Sequence, residues 1–243
     1  MRSVLVDSIA EGYSFLSLPF LYKDATHYLE VANSEKFKSL VRPILEENGI
    51  IVLSDGWCGA RDLYATRPIH NLEELRGLKI RTIGIPVIME SWRALGAIPT
   101  PVSWTELYNA LETGIVEAGE GSIVSFLANK FYEAGANNLT IVQMQTVPIP
   151  LIVSKKTWDK LPQKYRESIK IAAKEWSEDT KKVIEKEFEG AYKEAEKRGV
   201  NILEIKDISN WKEKVLEAQD NYAKKLGEGY IELLNWIRNQ AKN

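Results

Sequence analysis

The stretch from Pro162 to Arg198 constrains the fold more than any other part of the chain. Almost every residue in it is a helix former, and Tyr165, Ile169, Ala172, Trp176, Thr180, Val183 and Ile184 recur at steps of three and four. One helix accounts for the whole run, with Gly199 ending it. At 1.5 Å per residue such a helix is on the order of 50 Å long. That is longer than one lobe of a chain of this size, so the helix is expected to brace two lobes.

Between Ile50 and Val153 short β-rich runs alternate with helical patterns, a rhythm that predicts α/β layers with helices on the faces of a sheet. Asn71 can cap a helix whose first turn holds Glu73 and Glu74 and which Gly77 stops. A second helix is expected after Gly84, with Pro86 in its first turn, Val87, Trp92 and Leu95 on its apolar face, and Gly96 at its end. VNILEI, after Gly199, reads as a short strand. A last helix is expected from about Ile208 to Arg238, with Ile208, Trp211, Val215, Tyr222, Leu226, Tyr230, Leu233 and Ile237 in one stripe. Core packing is the first reading of that stripe, and a dimer seam the second.

Hydrophobic residues make up 44% of the sequence and charged residues 27%, the balance of a compact globular protein. The 32 basic and 34 acidic residues are interleaved and leave a net charge of -2, so nucleic acid is not an expected partner. Apolar runs such as IIVL and PLIVS fall far short of the ~20 residues of a membrane-spanning helix. The first residues carry Asp7 and Glu11 and do not read as a signal peptide. The single cysteine, Cys58, cannot form an internal disulfide and does not decide the compartment.

Chemistry-bearing motifs do not stand out. The sequence has no GxSxG, no HExxH, no Walker loop and no Cys/His pattern with metal spacing. The two histidines, His27 and His70, lack a second ligand at helical or hairpin spacing and read as structural or surface residues. Neither a cofactor nor a metal is expected. The run Gly119-Glu120-Gly121-Ser122 lacks the lysine and the full glycine pattern of a phosphate loop.

Gly77 to Ser122, GLKIRTIGIPVIMESWRALGAIPTPVSWTELYNALETGIVEAGEGS, resembles the central segment of substrate-binding proteins of TRAP (tripartite ATP-independent periplasmic) transporters. The resemblance extends through LPFLYKD, GARDLYATRPI, NKFYEAG, LIVSKKTWDKLP and the long helix, and so covers essentially the whole chain. It implies an α/β, two-lobed periplasmic-binding-protein clamshell with a long bracing helix. One lobe would be residues 1–59 plus 147–186 and the other 60–146 plus 187–243. It implies a receptor that holds a small organic carboxylate outside the cytoplasmic membrane and hands it to integral membrane subunits. Arg81, at the end of the KIR strand, matches the family's carboxylate anchor; a guanidinium meets both carboxylate oxygens with a planar fork. Arg61 in GAR matches a second ligand arginine, and Trp104 an aromatic wall against the ligand body.

Glu120 and Gly121 stand where relatives often read Glu-Asn in a VDGQEN run; here the run is VEAGEG. Gly121 then leaves room and offers a backbone N–H. The family also places a signal peptide and a first β-α-β segment ahead of the residue matched by Met1, so the chain is expected to be N-terminally truncated; the alternative readings are a truncated fragment that binds nothing, and an enzyme acting on a carboxylic acid with Arg81 as anchor and Glu120 as general base. An exposed apolar sheet edge is the expected consequence, with self-association along that edge or through the Trp211-to-Ile237 stripe.

Overall fold

The computed structural model describes residue 6 and residues 9–241. A 3-10 turn, Glu11–Ser17, precedes α1 (Ala25–Ala32) and α2 (Glu35–Glu47). Both helices start on side-chain caps, Asp24 accepting from the His27 N–H at 2.8 Å and Ser34 from the Phe37 N–H at 3.2 Å. Strand β1 (Ile50–Ala65) follows, then β2 (Lys79–Thr82), α3 (Pro86–Ala94), β3 (Ile98–Pro101), α4 (Leu107–Glu112), β4 (Ala118–Gly121) and α5 (Ile123–Ala128). The chain continues through β5 (Asn138–Ser154), α6 (Lys155–Trp158), α7 (Gln163–Lys197), β6 (Asn201–Glu204), α8 (Ser209–Leu226) and α9 (Glu228–Gln240).

The strands form one sheet in the order β3-β2-β4-β1-β5-β6. β2 runs parallel to β3 and β4, β5 runs parallel to β6, and β1 is antiparallel to β4 and β5. β1 and β5 are far longer than the rest and divide the molecule. Residues 62–65 of β1 and 138–141 of β5 lie inside the six-stranded sheet. Residues 50–57 and 148–154 pair only with each other among the described residues. Between these parts the β1–β5 register shifts at Trp57/Ala60 and again at Arg61/Leu63. Bulges at such a place bend the bulged strand and raise the local twist.

Helix α7 ties the two parts together along β1. Its 35 residues extend on the order of 50 Å. Thr180 Oγ1 accepts from the Trp57 N–H at 3.3 Å, and Ser177 donates to the Asp55 carbonyl. Further on, the Phe188 ring lies against Gly59, and the Tyr192 hydroxyl donates to Asp62. The helix therefore grips β1 on both sides of the register shifts, as the length argument expects. Its inward face differs from the expected stripe. Tyr165, Ala172 and Val183 are exposed, and Ala173, Ser177, Phe188 and Ala195 are buried. Trp176 and Thr180 of the expected stripe do face β1, Trp176 lying against Gly56, and Phe188, outside that stripe, lies against Gly59.

Two further expectations need correction. The turn capped by Asn71 is only a 3-10 turn, Glu73–Leu75; Asn71 Oδ1 accepts from the Glu74 N–H at 3.1 Å and Glu74 Oε2 from the His70 N–H at 2.7 Å. Both side-chain bonds to the backbone are present, but Gly77, at φ 75°, closes the segment before a second turn. The single last helix is two helices, broken at Gly227 with φ 110° and ψ 177°. The break lets α9 fold back on α2, where Gly229 brings its backbone close to Leu40. Trp211, Val215, Tyr222, Tyr230, Leu233 and Ile237 are all buried in the main core with Phe15, Phe37 and Trp92. The stripe is core packing, and the dimer-seam reading fails.

Candidate ligand-binding site

The carboxyl ends of parallel strands, where the order of a sheet reverses, are where open α/β sheets take ligands. Here β2 and β4 end side by side, and β1 enters and β5 leaves at the same edge. Arg81 lies opposite Gly119, Leu63 opposite Glu120, Asp62 opposite Gly121, and Arg61 opposite Gln145. Four neighbouring strands thus carry Arg81, Glu120, Arg61 and Gln145 in sheet order.

Arg81 is 5% exposed. Its Nε donates to the Val102 carbonyl at 2.9 Å, and its guanidinium carbon stands 5.2 Å from the Trp104 ring centre. Its Nη1 has no partner among the described residues. Burial pulls this guanidinium down from its ordinary range, while Glu120 and Tyr64 push it back up. It remains a cation at neutral pH.

Arg61 forms a buried ion pair through Nε with Glu120 Oε2, and its Nη2 donates to the Glu120 carbonyl at 2.8 Å. Burial opposes its charge, and the adjacent carboxylate more than offsets that, so Arg61 titrates above its ordinary value. The Tyr64 ring packs flat under β4. A Cβ on Gly119 would lie 2.5 Å from that ring, so only glycine fits there. Gly121 differs: a Cβ would meet Tyr64 at 3.4 Å and Trp104 at 3.7 Å, ordinary contacts, so glycine there leaves space beside both rings. Trp104 is half-buried, edge-on to Phe131 with ring centres 5.3 Å apart, and shows its other side to the Arg81 guanidinium.

The five residues singled out in the sequence therefore come together at one sheet edge. One residue there was missed. Gln145 is 2% exposed, and neither of its amide atoms has a partner among the described residues. Glu120 Oε1 is likewise buried and unpartnered. A glutamine inside the run LTIVQMQTV was the available signal, but the sequence could not tell whether it pointed to solvent, as Gln143 does, or inward.

Two guanidiniums and one carboxylate leave one uncompensated positive charge in a buried place. A buried charge without a partner is costly, and a small anion would neutralise it. Glu120 is not the free base an enzyme would need, because its Oε2 is committed to Arg61. Among the described residues no group of three metal-ligating side chains occurs.

A two-lobed α/β frame with two arginines, a glutamate and a tryptophan gathered at one sheet edge has the form of a solute-binding protein. The chain belongs to the bacterial extracellular solute-binding proteins of family 7, whose model matches residues 2–225. It is 28% identical over 230 residues to a solute-binding protein of Sulfitobacter sp. (strain NAS-14.1), covering 94% of this chain and 69% of that one. A TRAP periplasmic solute-binding protein from Ochrobactrum anthropi, its C-terminus bound in the ligand-binding pocket, superposes with a TM-score of 0.90. It is 29% identical, and the match covers 100% of this chain and 77% of that one. A second from Sulfitobacter, with bound α-D-taluronate, gives a TM-score of 0.86 at 27% identity, covering 98% of this chain and 76% of that one. The chain thus spans between about two thirds and three quarters of the length of these relatives. They are solute-binding proteins, not enzymes, which removes Glu120 as a general base.

Proposed function

We propose that this chain is the solute-binding receptor of a TRAP-type transporter, capturing a small organic carboxylate and delivering it to integral membrane subunits from outside the cytoplasmic membrane. Within the described residues, those up to 59 with 147–186 make one lobe and 60–146 with 187–241 the other, α9 reaching back onto α2 of the first, with the ligand between the lobes. Arg81 is the carboxylate anchor. The observation that carries this reading is its buried Nη1, without a partner among the described residues, at the end of β2 beside the Arg61–Glu120 pair. Arg61 adds the second cation, held in place by Glu120. Trp104 forms a flat wall against the carbon skeleton, and Gly121 leaves room beside it. The Sulfitobacter relative, crystallised with a carboxylate sugar, supports the ligand class.

A thermal-shift screen over organic acids tests the proposal. A ligand bound only by the folded state at a hundred times its Kd stabilises by about 2.7 kcal/mol, which for a chain of this size raises Tm by roughly 5–10 °C. At least one acid in the screen is expected to do so, and the shift should vanish in Arg81→Ala. A panel of mono-, di-, keto- and sugar acids that leaves Tm unchanged contradicts it.

A further inference from the structure

At the register shift beside Arg61, β1 advances two residues, from Arg61 to Leu63, while β5 runs five, from Gln145 back to Thr140, so β5 carries three residues more than a regular ladder needs. Those residues lose their backbone partners on β1. The Asp62 side chain supplies an acceptor instead: its Oδ1 accepts from the Val142 N–H at 3.1 Å and from the Gln143 N–H at 3.0 Å. Gln143 has φ 44°, a left-handed backbone that a residue with a side chain keeps only where its surroundings hold it. Asp62 Oδ2 accepts from the Tyr192 hydroxyl of α7, one helical turn beyond the Phe188 ring on Gly59. The other end of the bulge is tied to the segment ahead of α1. There the Met144 carbonyl accepts from the Phe20 N–H at 2.7 Å, and the Thr146 hydroxyl donates to the Leu16 carbonyl at 2.8 Å.

Asp62 is fully buried, and its three donors are all uncharged. An apolar side chain would fill the same space at less cost, but it would leave two backbone N–H groups bare. We infer that Asp62 is a positioning residue of the site: it clamps the β5 bulge and the α7 brace to β1, and so fixes where its neighbour Arg61 stands against Gln145 and Glu120. The register carries the effect to Arg61. That residue is the last of β1 to pair before the bulge, opposite Gln145, and its guanidinium reaches Glu120 of β4. A bulge without its clamp lets β5 slip against β1, and a slip of one residue replaces the side chain opposite Arg61. Asp62 acts on the site only through Arg61 and the bulge. Its bearing on ligand capture rests on the receptor reading proposed above, whereas the clamp itself does not.

Solution NMR of the nitrogen-15-labelled full chain tests this with no ligand present. The signals to follow are the Arg61 Nε–H, assigned by its loss in Arg61→Lys, and the backbone amides of Val142 and Gln143. In the wild type all three should exchange slowly with solvent. Asp62→Ala removes the acceptors, so the two amides should exchange roughly tenfold faster or more, the worth of hydrogen bonds to a charged group, and the Arg61 signal should shift and broaden. In Asp62→Asn the side-chain carbonyl still accepts, and all three signals should stay close to those of the wild type. An unmoved Arg61 signal in a folded Asp62→Ala variant means that Asp62 supports the fold alone, and overturns the inference. An asparagine variant that behaves as the alanine one also overturns it, because an acceptor is then not what holds the bulge. If the alanine variant does not fold, Tyr192→Phe carries the test: the same signals should move in the same direction by less, and unmoved signals overturn the clamp. Failure here leaves the receptor reading standing, and a silent thermal-shift screen leaves the clamp standing.

Discussion

At the residue scale the site depends on one buried ion pair. The side chains of Arg61 and Glu120 are 14% and 2% exposed, so neither charge is well solvated. Breaking such a pair by removing one partner costs about 3–5 kcal/mol, because the other charge stays buried alone. Glu120→Gln should therefore lower the unfolding free energy by that much in urea titration. A loss under about 1 kcal/mol would mean that Arg61 finds solvent and that Glu120 does not hold it. Two glycines carry opposite expectations. Gly119→Ala drives a methyl into the Tyr64 ring and should destabilise by more than about 1 kcal/mol, whereas Gly121→Ala meets only ordinary contacts and should fold normally. Comparable melting curves for the two variants would contradict the packing described for β4. Arg81, Arg61, Trp104, Glu120 and Gly121 were legible through the resemblance of whole segments. The ion pair between two of them was not, since Arg61 and Glu120 are 59 residues apart and meet only across β1 and β4. Gln145 was illegible because burial is a property of the folded strand.

At the element scale, β1 is held by carboxylates that burial has altered. Asp62 Oδ1 accepts from the Val142 and Gln143 N–H groups at 3.1 and 3.0 Å, inside the β5 bulge, and Oδ2 from Tyr192 of α7. Burial pushes its carboxyl up to about 6, against the hydrogen bonds that lower it. Folded Asp62 thus holds its proton to a higher pH than the unfolded chain does, where the carboxyl titrates near 4. Its contribution is fully present below about pH 4, falls as pH rises from 4 to 6, and is flat above that. The whole change is on the order of 3 kcal/mol. Asp62→Asn keeps the acceptor for the two N–H groups, and the Tyr192 hydroxyl can turn to accept from the new amide. The difference in stability between wild type and this variant should therefore shrink or reverse in sign as pH rises through 4–6. A pH-independent difference would place the charge elsewhere. Periodicity found α3, α7 and β6 within a residue or two of their ends. It joined α8 to α9 because the apolar stripe continues across Gly227, and nothing in a stripe announces the φ of 110° that breaks the backbone there.

At the scale of the whole molecule, the two lobes are joined by β1, β5 and the α7 brace. Gly59 sits at the joint, with φ 94° and the Phe188 ring against its backbone. Gly59→Ala is strained in both respects and should weaken the packing of α7 on the joint, lowering Tm and ligand affinity together. A variant that melts and binds as the wild type does would show that this contact is not part of the joint. The two-lobed plan and the brace were legible from helix length and from the β-then-α rhythm. The crossing itself was not, because β1 and β5 read in sequence as ordinary strands, and only the pairing shows that each serves both parts.

The account turns on Arg81 meeting a carboxylate with its planar fork. Isothermal calorimetry of the acid with the largest thermal shift, on the wild type and on Arg81→Lys, tests that most directly. Lysine keeps the charge and loses the second hydrogen bond, so binding should weaken by about 1.5–3 kcal/mol, roughly tenfold to a hundredfold or somewhat more. Binding by the lysine variant within a factor of about three of the wild type would contradict the anchor.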